Sequence, residues 1–347
     1  MTGSMRSLVG NVGRQLSGAI PLRVLQRLAP RDVIAVCYHV VSDQQLPHIR
    51  HLYAYKSVDA FRQDLLFLRS EYRVIGYQEL HDHRLAGKPL APCSVHLSFD
   101  DGFAECDSVV RPVLVELGLP CTFFINTDFV DNRALFYRNQ VSLCIDRLES
   151  LSPEERAAAV RQAAAQFGRE LVSADDLLRW IGGLNHEDRA ILDDLCQLLG
   201  VDCQAFLATR KPYLTHEQIR QMAAAGFTFG GHTRNHQRLT RLNSLDELNR
   251  QIVQSCQDVR DFTGQAIVPF AFPFMGAGID RAALAQIRRD HEFVGLLFDT
   301  QKLRKDSDFM VNRICCDSPP ASPAGKSNLP TALRNAYLSL TTGLLRT

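Results

Sequence analysis

The sequence predicts an α/β fold in which successive βα units surround a parallel sheet that closes into a barrel. Two observations lead there. From Val33 onward, short β-branched or aromatic runs alternate with stretches of helical periodicity, the pattern of strands joined by crossover helices. The chain is also long enough, at 347 residues with 46% apolar and 22% charged, to bury one large core.

Residues 1–31 come first. Leu8, Val12, Leu16, Ile20 and Val24 recur at four-residue steps with Arg6, Arg14, Arg23 and Arg27 between them, until Pro30 stops the pattern; Pro21 interrupts it. This amphipathic stretch reads either as a helix docked on the protein body or as a basic segment, residues 5–29, resting peripherally on an anionic membrane surface. The strand-like runs follow at Val33 to Val40, Val74 to Tyr77, Val95 to Phe99, Cys121 to Ile125, Phe227 to Phe229, Ile267 to Phe272, Phe293 to Phe298 and Met310 to Ile314. Helical patterns occupy Val58 to Leu68, Ser108 to Leu117, His216 to Ala225, Leu245 to Phe262 and Arg281 to Arg289. The alternation lapses over 131–212, which reads as a helical insertion carrying the only tryptophan, Trp180, as a packing anchor. A Pro- and Ser-rich linker and a short amphipathic helix, Leu333 to Leu345, make up residues 318–347. The barrel domain is thus expected over 32–317.

Charge and cysteine content exclude several classes. Lys plus Arg (39) nearly equals Asp plus Glu (38), so the net charge of +1 gives no reason to expect a nucleic-acid partner. The 10 cysteines are scattered without a CxxC, which reads as buried thiols in a reducing compartment, not as a disulfide framework. There is no apolar run long enough to span a bilayer and no leader-like N-terminus, so a cytoplasmic location is expected, membrane-peripheral if residues 5–29 touch lipid.

Two motifs carry chemistry. Leu97-Ser-Phe-Asp100-Asp101-Gly102 ends an apolar run with adjacent carboxylates, at the strand end where α/β barrels place reactive groups. Their ionisations would be driven apart unless a cation neutralises one. The second motif, Phe229-Gly-Gly-His232-Thr-Arg-Asn-His236, puts two imidazoles four residues apart, able to face one ion if the segment winds into a helical turn. Gly230 and Gly231 remove bulk where backbone would approach an ion or substrate. One Asp with two His leaves open positions for water and a substrate oxygen, which suits a hydrolytic divalent cation.

These residues resemble the polysaccharide deacetylase, or NodB-homology, family. Ser98-Phe-Asp-Asp-Gly102 is similar to its T-F-D-D-G, and the His segment to its H-[S/T]-x-x-x-H or H-[S/T]-x-x-H signature. Tyr213 to Gly226, Arg238-Leu-Thr-Arg-Leu242 and Pro269 to Phe274 follow the family's order. The resemblance implies a distorted (β/α)7-type barrel with a helical insertion, and metal-dependent removal of the N-acetyl group from an amino sugar in a glycan or glycoconjugate precursor. By the same resemblance Asp101, His232 and His236 would hold the metal, Zn²⁺ first with Co²⁺ or Ni²⁺ as alternatives. Asp100 would be the base, and the Phe274 backbone N–H would face the oxyanion. The family's usual general-acid His is absent from Phe309 to Asp317, but Tyr38-His39 resembles the element of a permuted branch, making His39 the candidate acid.

One departure stands out. The family's arginine that orients the base would fall near Ala271, where no charge exists. That gap motivates an alternative, a catalytically silent glycan-binding barrel; a second alternative keeps the site but hydrolyses another non-peptide C–N bond.

Overall fold

The computed structural model describes residues 20–28, 31, 33–240, 243–319 and 327–344. Among the described residues there are eight parallel strands: β1 (Val33–Tyr38), β2 (Arg73–Ile75), β3 (Ser94–Phe99), β4 (Thr122–Ile125), β5 (Thr228–Gly231), β6 (Val268–Ala271), β7 (Val294–Asp299) and β8 (Met310–Cys315). Because β1 pairs with both β8 and β3, these three close a seven-stranded barrel with β4 to β7. β2 stays outside that ring: it pairs only with the first half of β3, and β4 takes the same edge further along. Every run read as a strand from the sequence is one.

The barrel walls have two apolar faces, which is why the strands read as continuous apolar runs and not as alternating ones. Outward residues such as Phe99, Phe123, Phe229 and Phe270 join the main core beneath the helices. Inward residues fill the barrel, among them Ala35, Phe124, Ala271, Leu296, Phe298 and Val311. The expected helices form at Val58–Glu71, His216–Ala224 and Arg281–Asp290, among others. A helix at Tyr77–Ala86 was not expected, and the reason is plain: it buries only Tyr77 and Leu80, too few for a periodic signal.

The insertion folds as five helices, Tyr137–Ser150, Pro153–Phe167, Ala174–Gly183, Arg189–Leu199 and Cys203–Arg210, around its own apolar cluster of Leu148, Leu177, Ile181, Leu192 and Leu195. Local signals set its boundaries. Ser152 caps the Pro153 helix reciprocally with Glu155, and Gly168 ends it in the left-handed region. Trp180 packs against Phe167 with ring centroids 5.1 Å apart.

At the chain ends, helix Leu22–Leu28 buries Leu25 and packs on helix Leu329–Leu344, while Arg23 forks onto Glu71. Residues 1–19, most of the amphipathic stretch, lie outside the described residues, as do 320–326 of the linker. Among the described residues no helix is long and apolar enough to cross a membrane. All ten cysteines are free thiols, most of them buried.

A fully buried ion pair ties the C-terminal segment to the barrel. Lys56 Nζ lies 2.7 Å from Asp64, whose carboxylate also accepts from Tyr38 (2.8 Å) and Ser327 (2.6 Å). Removing one partner of such a pair strands the other charge in a medium that cannot solvate it. Lys56→Ala is therefore expected to destabilise the protein by about 3–5 kcal/mol, read from the denaturant midpoint, whereas Lys56→Met with Asp64→Leu should recover most of that loss.

Candidate functional site

The site is built at the C-terminal mouth of the barrel. Asp100 and Asp101 directly follow β3, where the chain turns through Asp101 (φ 71°) and Gly102 (φ 68°). Gly102 is required twice over, by its left-handed conformation and because a Cβ would stand 2.9 Å from Ile125 Cγ2. His232 follows β5, and the segment to His236 brings both rings to Asp101.

That segment corrects one expectation. The imidazoles do not converge through a helical turn; the segment is irregular, with Thr233 (φ 59°) and His236 (φ 59°) both in positive-φ conformations. The loop is held by Asn126, whose side-chain amide donates to the His232 carbonyl, by Arg234 paired with Asp128 at 2.8 Å, and by Gln251, which accepts from the Arg234 amide. The glycines are corrected as well. A Cβ on Gly230 would meet the Phe124 ring at 2.5 Å, and one on Gly231 would meet Ser255 Oγ at 2.6 Å, so they make room for the protein itself and not for an ion.

Three ligand-type atoms converge. Asp101 Oδ1 lies 3.4 Å from His232 Nε2 and 3.2 Å from His236 Nε2, with all three side chains buried. His232 Nδ1 sits 2.8 Å from the Ala271 carbonyl, which fixes the proton on Nδ1 and leaves the Nε2 lone pair aimed at the cluster. Asp101 Oδ1 is buried without a hydrogen-bond partner. Burial opposes its charge, yet the two imidazoles hold the carboxyl well below the usual range, while burial pushes His236 down toward the neutral ring. A buried, orphaned carboxylate oxygen facing two imidazole nitrogens fits a divalent cation.

Asp100 is matched differently. Arg313 of β8 forks onto it, Nη1 to Oδ1 at 2.6 Å and Nη2 to Oδ2 at 2.8 Å, with a further bond to Ser98 at 3.0 Å. Burial disfavours the Asp100 carboxylate, but Arg313 reverses that and its acidity ends below the ordinary value. Thus the guanidinium absent at Ala271 is supplied from a different strand. Nothing in the sequence pointed to Arg313.

His39 follows β1 and therefore stands between β3 and β8. Its Nδ1 lies 2.7 Å from Asp317 Oδ2, and its backbone N–H donates to the other oxygen at 2.8 Å. Burial favours the neutral ring, but Asp317 outweighs it and raises His39 well above the usual imidazole value. Phe274 (φ 61°) lines the same pocket; its carbonyl accepts from Thr300 at 2.6 Å, and Asp299 accepts from the Gly276 amide at 2.9 Å, so the turn is pinned from both sides. Asp317, Tyr53, Asp299 and Thr300 all support the site and were not singled out from sequence. Together these groups enclose a pocket of about 220 Å³ whose lining also includes Phe136, Arg138 and Cys315.

No curated protein matches the chain. The family model described as polysaccharide deacetylase matches residues 182–293, which include both histidines. Among solved structures, a Streptococcus pyogenes deacetylase, PplD, in complex with acetate is 16% identical with a TM-score of 0.54, over 89% of this chain and 99% of that one. IcaB from Ammonifex degensii is 16% identical with a TM-score of 0.50, over 87% of this chain and 97% of that one. At such identity the likeness concerns the fold.

The ligand geometry makes a measurable claim. Protein loaded with Zn²⁺ or Co²⁺ and then dialysed is expected to retain one equivalent by elemental analysis, and Asp101→Ala or His232→Ala to lose it. Asp100→Asn should keep it, since Asp100 is turned to Arg313. In its histidine-bearing segment the chain is similar to polysaccharide deacetylases, and its barrel shares the fold of the two deacetylase structures.

Proposed function

We propose that the protein is a metal-dependent N-deacetylase that hydrolyses the N-acetyl amide of an amino sugar in a glycan or glycoconjugate precursor. One observation carries this reading: a buried Asp–His–His cluster, a separately ionised carboxylate and a carboxylate-supported imidazole all open onto one pocket. In this reading Asp101, His232 and His236 hold a divalent cation, Zn²⁺ or alternatively Co²⁺ or Ni²⁺. The cation supplies Lewis acidity toward the acetyl carbonyl and its attacking water.

The chain's own residues do the rest. Asp100 accepts the proton of the water as its oxygen bonds to the acetyl carbon, and Arg313 holds both carboxylate oxygens so that the base keeps one orientation. The developing oxyanion faces the Phe274 backbone N–H. Positive φ at Phe274 is the strained conformation that would turn this amide toward the pocket. His39, whose protonated form Asp317 favours, donates a proton to the nitrogen as the C–N bond breaks, releasing acetate and the free amine.

The alternative of a silent barrel drew on the missing arginine near Ala271, and Arg313 removes that motive. Acetate release from a panel of N-acetylhexosamine substrates tests the proposal; wild type inert across the panel with cation bound, or Asp101→Asn as active as wild type, defeats it.

Two further outcomes are expected. His39→Ala should lower kcat by about 10²–10⁴ while retaining the cation. The alkaline limb of the rate profile, where His39 loses its proton, should lie above the ordinary imidazole value; Asp317→Asn removes the charge that raises it and should move that limb down.

A further inference from the structure

Arg138 lines the pocket and Arg238 stands beside it, and among the described residues neither guanidinium is matched by a carboxylate. Arg138 is the second residue of helix Tyr137–Ser150 and lines the pocket; its guanidinium lies 5.6 Å from the centroid of the Phe274 ring. Arg238, two residues beyond His236, approaches the same ring at 4.8 Å. Among the described residues neither forms an ion pair, although most buried charges around them are matched: Asp100 by Arg313 and Asp317 by His39. The two guanidiniums are a local surplus of positive charge. Contact with the Phe274 ring holds both guanidiniums in place, and Arg138 is held further by a hydrogen bond with Tyr137, while guanidinium N–H groups not so used can meet an oxyanion.

Other features point the same way. Helix Tyr137–Ser150 begins at the pocket with Phe136 as its cap, which offers no capping oxygen, and its first turn holds no acid. Its N-terminal partial charge adds to the two arginines. Burial pushes Tyr53 and Tyr137 up while the nearby Arg138 charge works against that shift, and Tyr53 lines the pocket with Arg138. The pocket, about 220 Å³, is below the roughly 300–1,000 Å³ of sites for drug-sized ligands, which suits one sugar ring inside with its substituent at the rim.

We infer that the substrate is an N-acetylated amino sugar carrying a phosphate or diphosphate, and that Arg138 and Arg238 bind that group beside the Phe274 ring. This deepens the deacetylase reading and rests on it. A phosphate ester carries about −1.5 to −2 charge at neutral pH, which matches two guanidiniums, whereas a carboxylate would leave one of them unmatched. Guanidinium forks also fit phosphate oxygens in pairs. Such sugars occur on nucleotides and on lipid carriers, and both share the recognised chemistry.

The test compares kcat/KM for N-acetylglucosamine 1-phosphate, UDP-N-acetylglucosamine and N-acetylglucosaminyl diphosphate on a short polyprenol with that for free N-acetylglucosamine, chitotetraose and a glucuronate-linked N-acetylglucosamine. At least one phosphate-bearing substrate should exceed the uncharged and uronate ones by about tenfold or more, and which one does so identifies the carrier. Arg238→Ala and Arg138→Ala should each raise KM for that substrate by about tenfold, about 1.4 kcal/mol, with kcat little changed, with partial rescue by lysine and no effect on uncharged substrates. Equal efficiencies, a preference for the uronate, or equal damage to uncharged substrates overturns the inference while leaving deacetylation standing. Should nothing release acetate, the deacetylase reading fails, and calorimetric titration with N-acetylglucosamine 1-phosphate still decides this one: tight binding lost in Arg238→Ala supports it, and binding no tighter than that of N-acetylglucosamine overturns it.

Discussion

The site depends on one buried ion pair, Arg313 with Asp100. Both groups are essentially removed from solvent, and the guanidinium sits inside the barrel with the rings of Phe124 and Phe298 at 5.1 and 5.8 Å. Room for so large a side chain comes from small inward neighbours: Ala35 is paired in register with Arg313, and Ala271 belongs to the same interior cluster. Taking two charges out of water costs several kcal/mol per ion, and the pair recovers it only through good geometry. Here both carboxylate oxygens are bonded and Ser98 takes a further donor. The pair also spans β1, fastening β8 to β3 at the place where the barrel closes.

Adjacent carboxylates acquire different characters because their partners differ. Asp100 faces a permanent cation and stays a hydrogen-bonded, oriented anion, whereas Asp101 faces two imidazole nitrogens and keeps an oxygen without a bond. Environment, not sequence proximity, separates them. Strand order supplies the third group: with β1 lodged between β3 and β8, His39 arrives beside both acids and meets Asp317 from the end of β8. A barrel whose first strand sat at an outer edge would leave that imidazole elsewhere.

How much of this could be read from sequence follows from how local each signal is. All eight strands were legible because both faces are apolar, and the Asp and His pairs were legible because each is packed into a few residues with a turn-forming neighbour. Helix Tyr77–Ala86 was not, since it buries only one edge. Arg313 and Asp317 were not either. Each is a single residue in an ordinary-looking strand end, and its meaning comes from a partner more than 200 positions away, Asp100 or His39. Sequence showed that an arginine was missing at Ala271; only the strand order shows that one on β8 reaches the same carboxylate. The four-residue His spacing was legible as a candidate pair facing one point, but not the two left-handed residues that bring the rings together.

The insertion belongs to the site despite having its own core. A run of aromatic contacts leads from Phe103, next to the Asp-Asp-Gly turn, through Tyr213 (6.0 Å), Phe129 (5.4 Å) and Phe136 (5.7 Å) to His236 (4.3 Å) and on to Phe274 (5.0 Å). Phe103, Phe129, Phe136 and Tyr213 are all members of the insertion's cluster. The helices are thereby packed onto a ring that also belongs to the Asp101–His232–His236 cluster, so their position and the orientation of His236 are set together. Dense packing transmits displacement poorly to solvent and readily to neighbours. A change in the insertion's core that moved Phe136 would consequently shift one imidazole and the start of helix Tyr137–Ser150 at once, altering the reacting centre and the rim of the pocket in a single step.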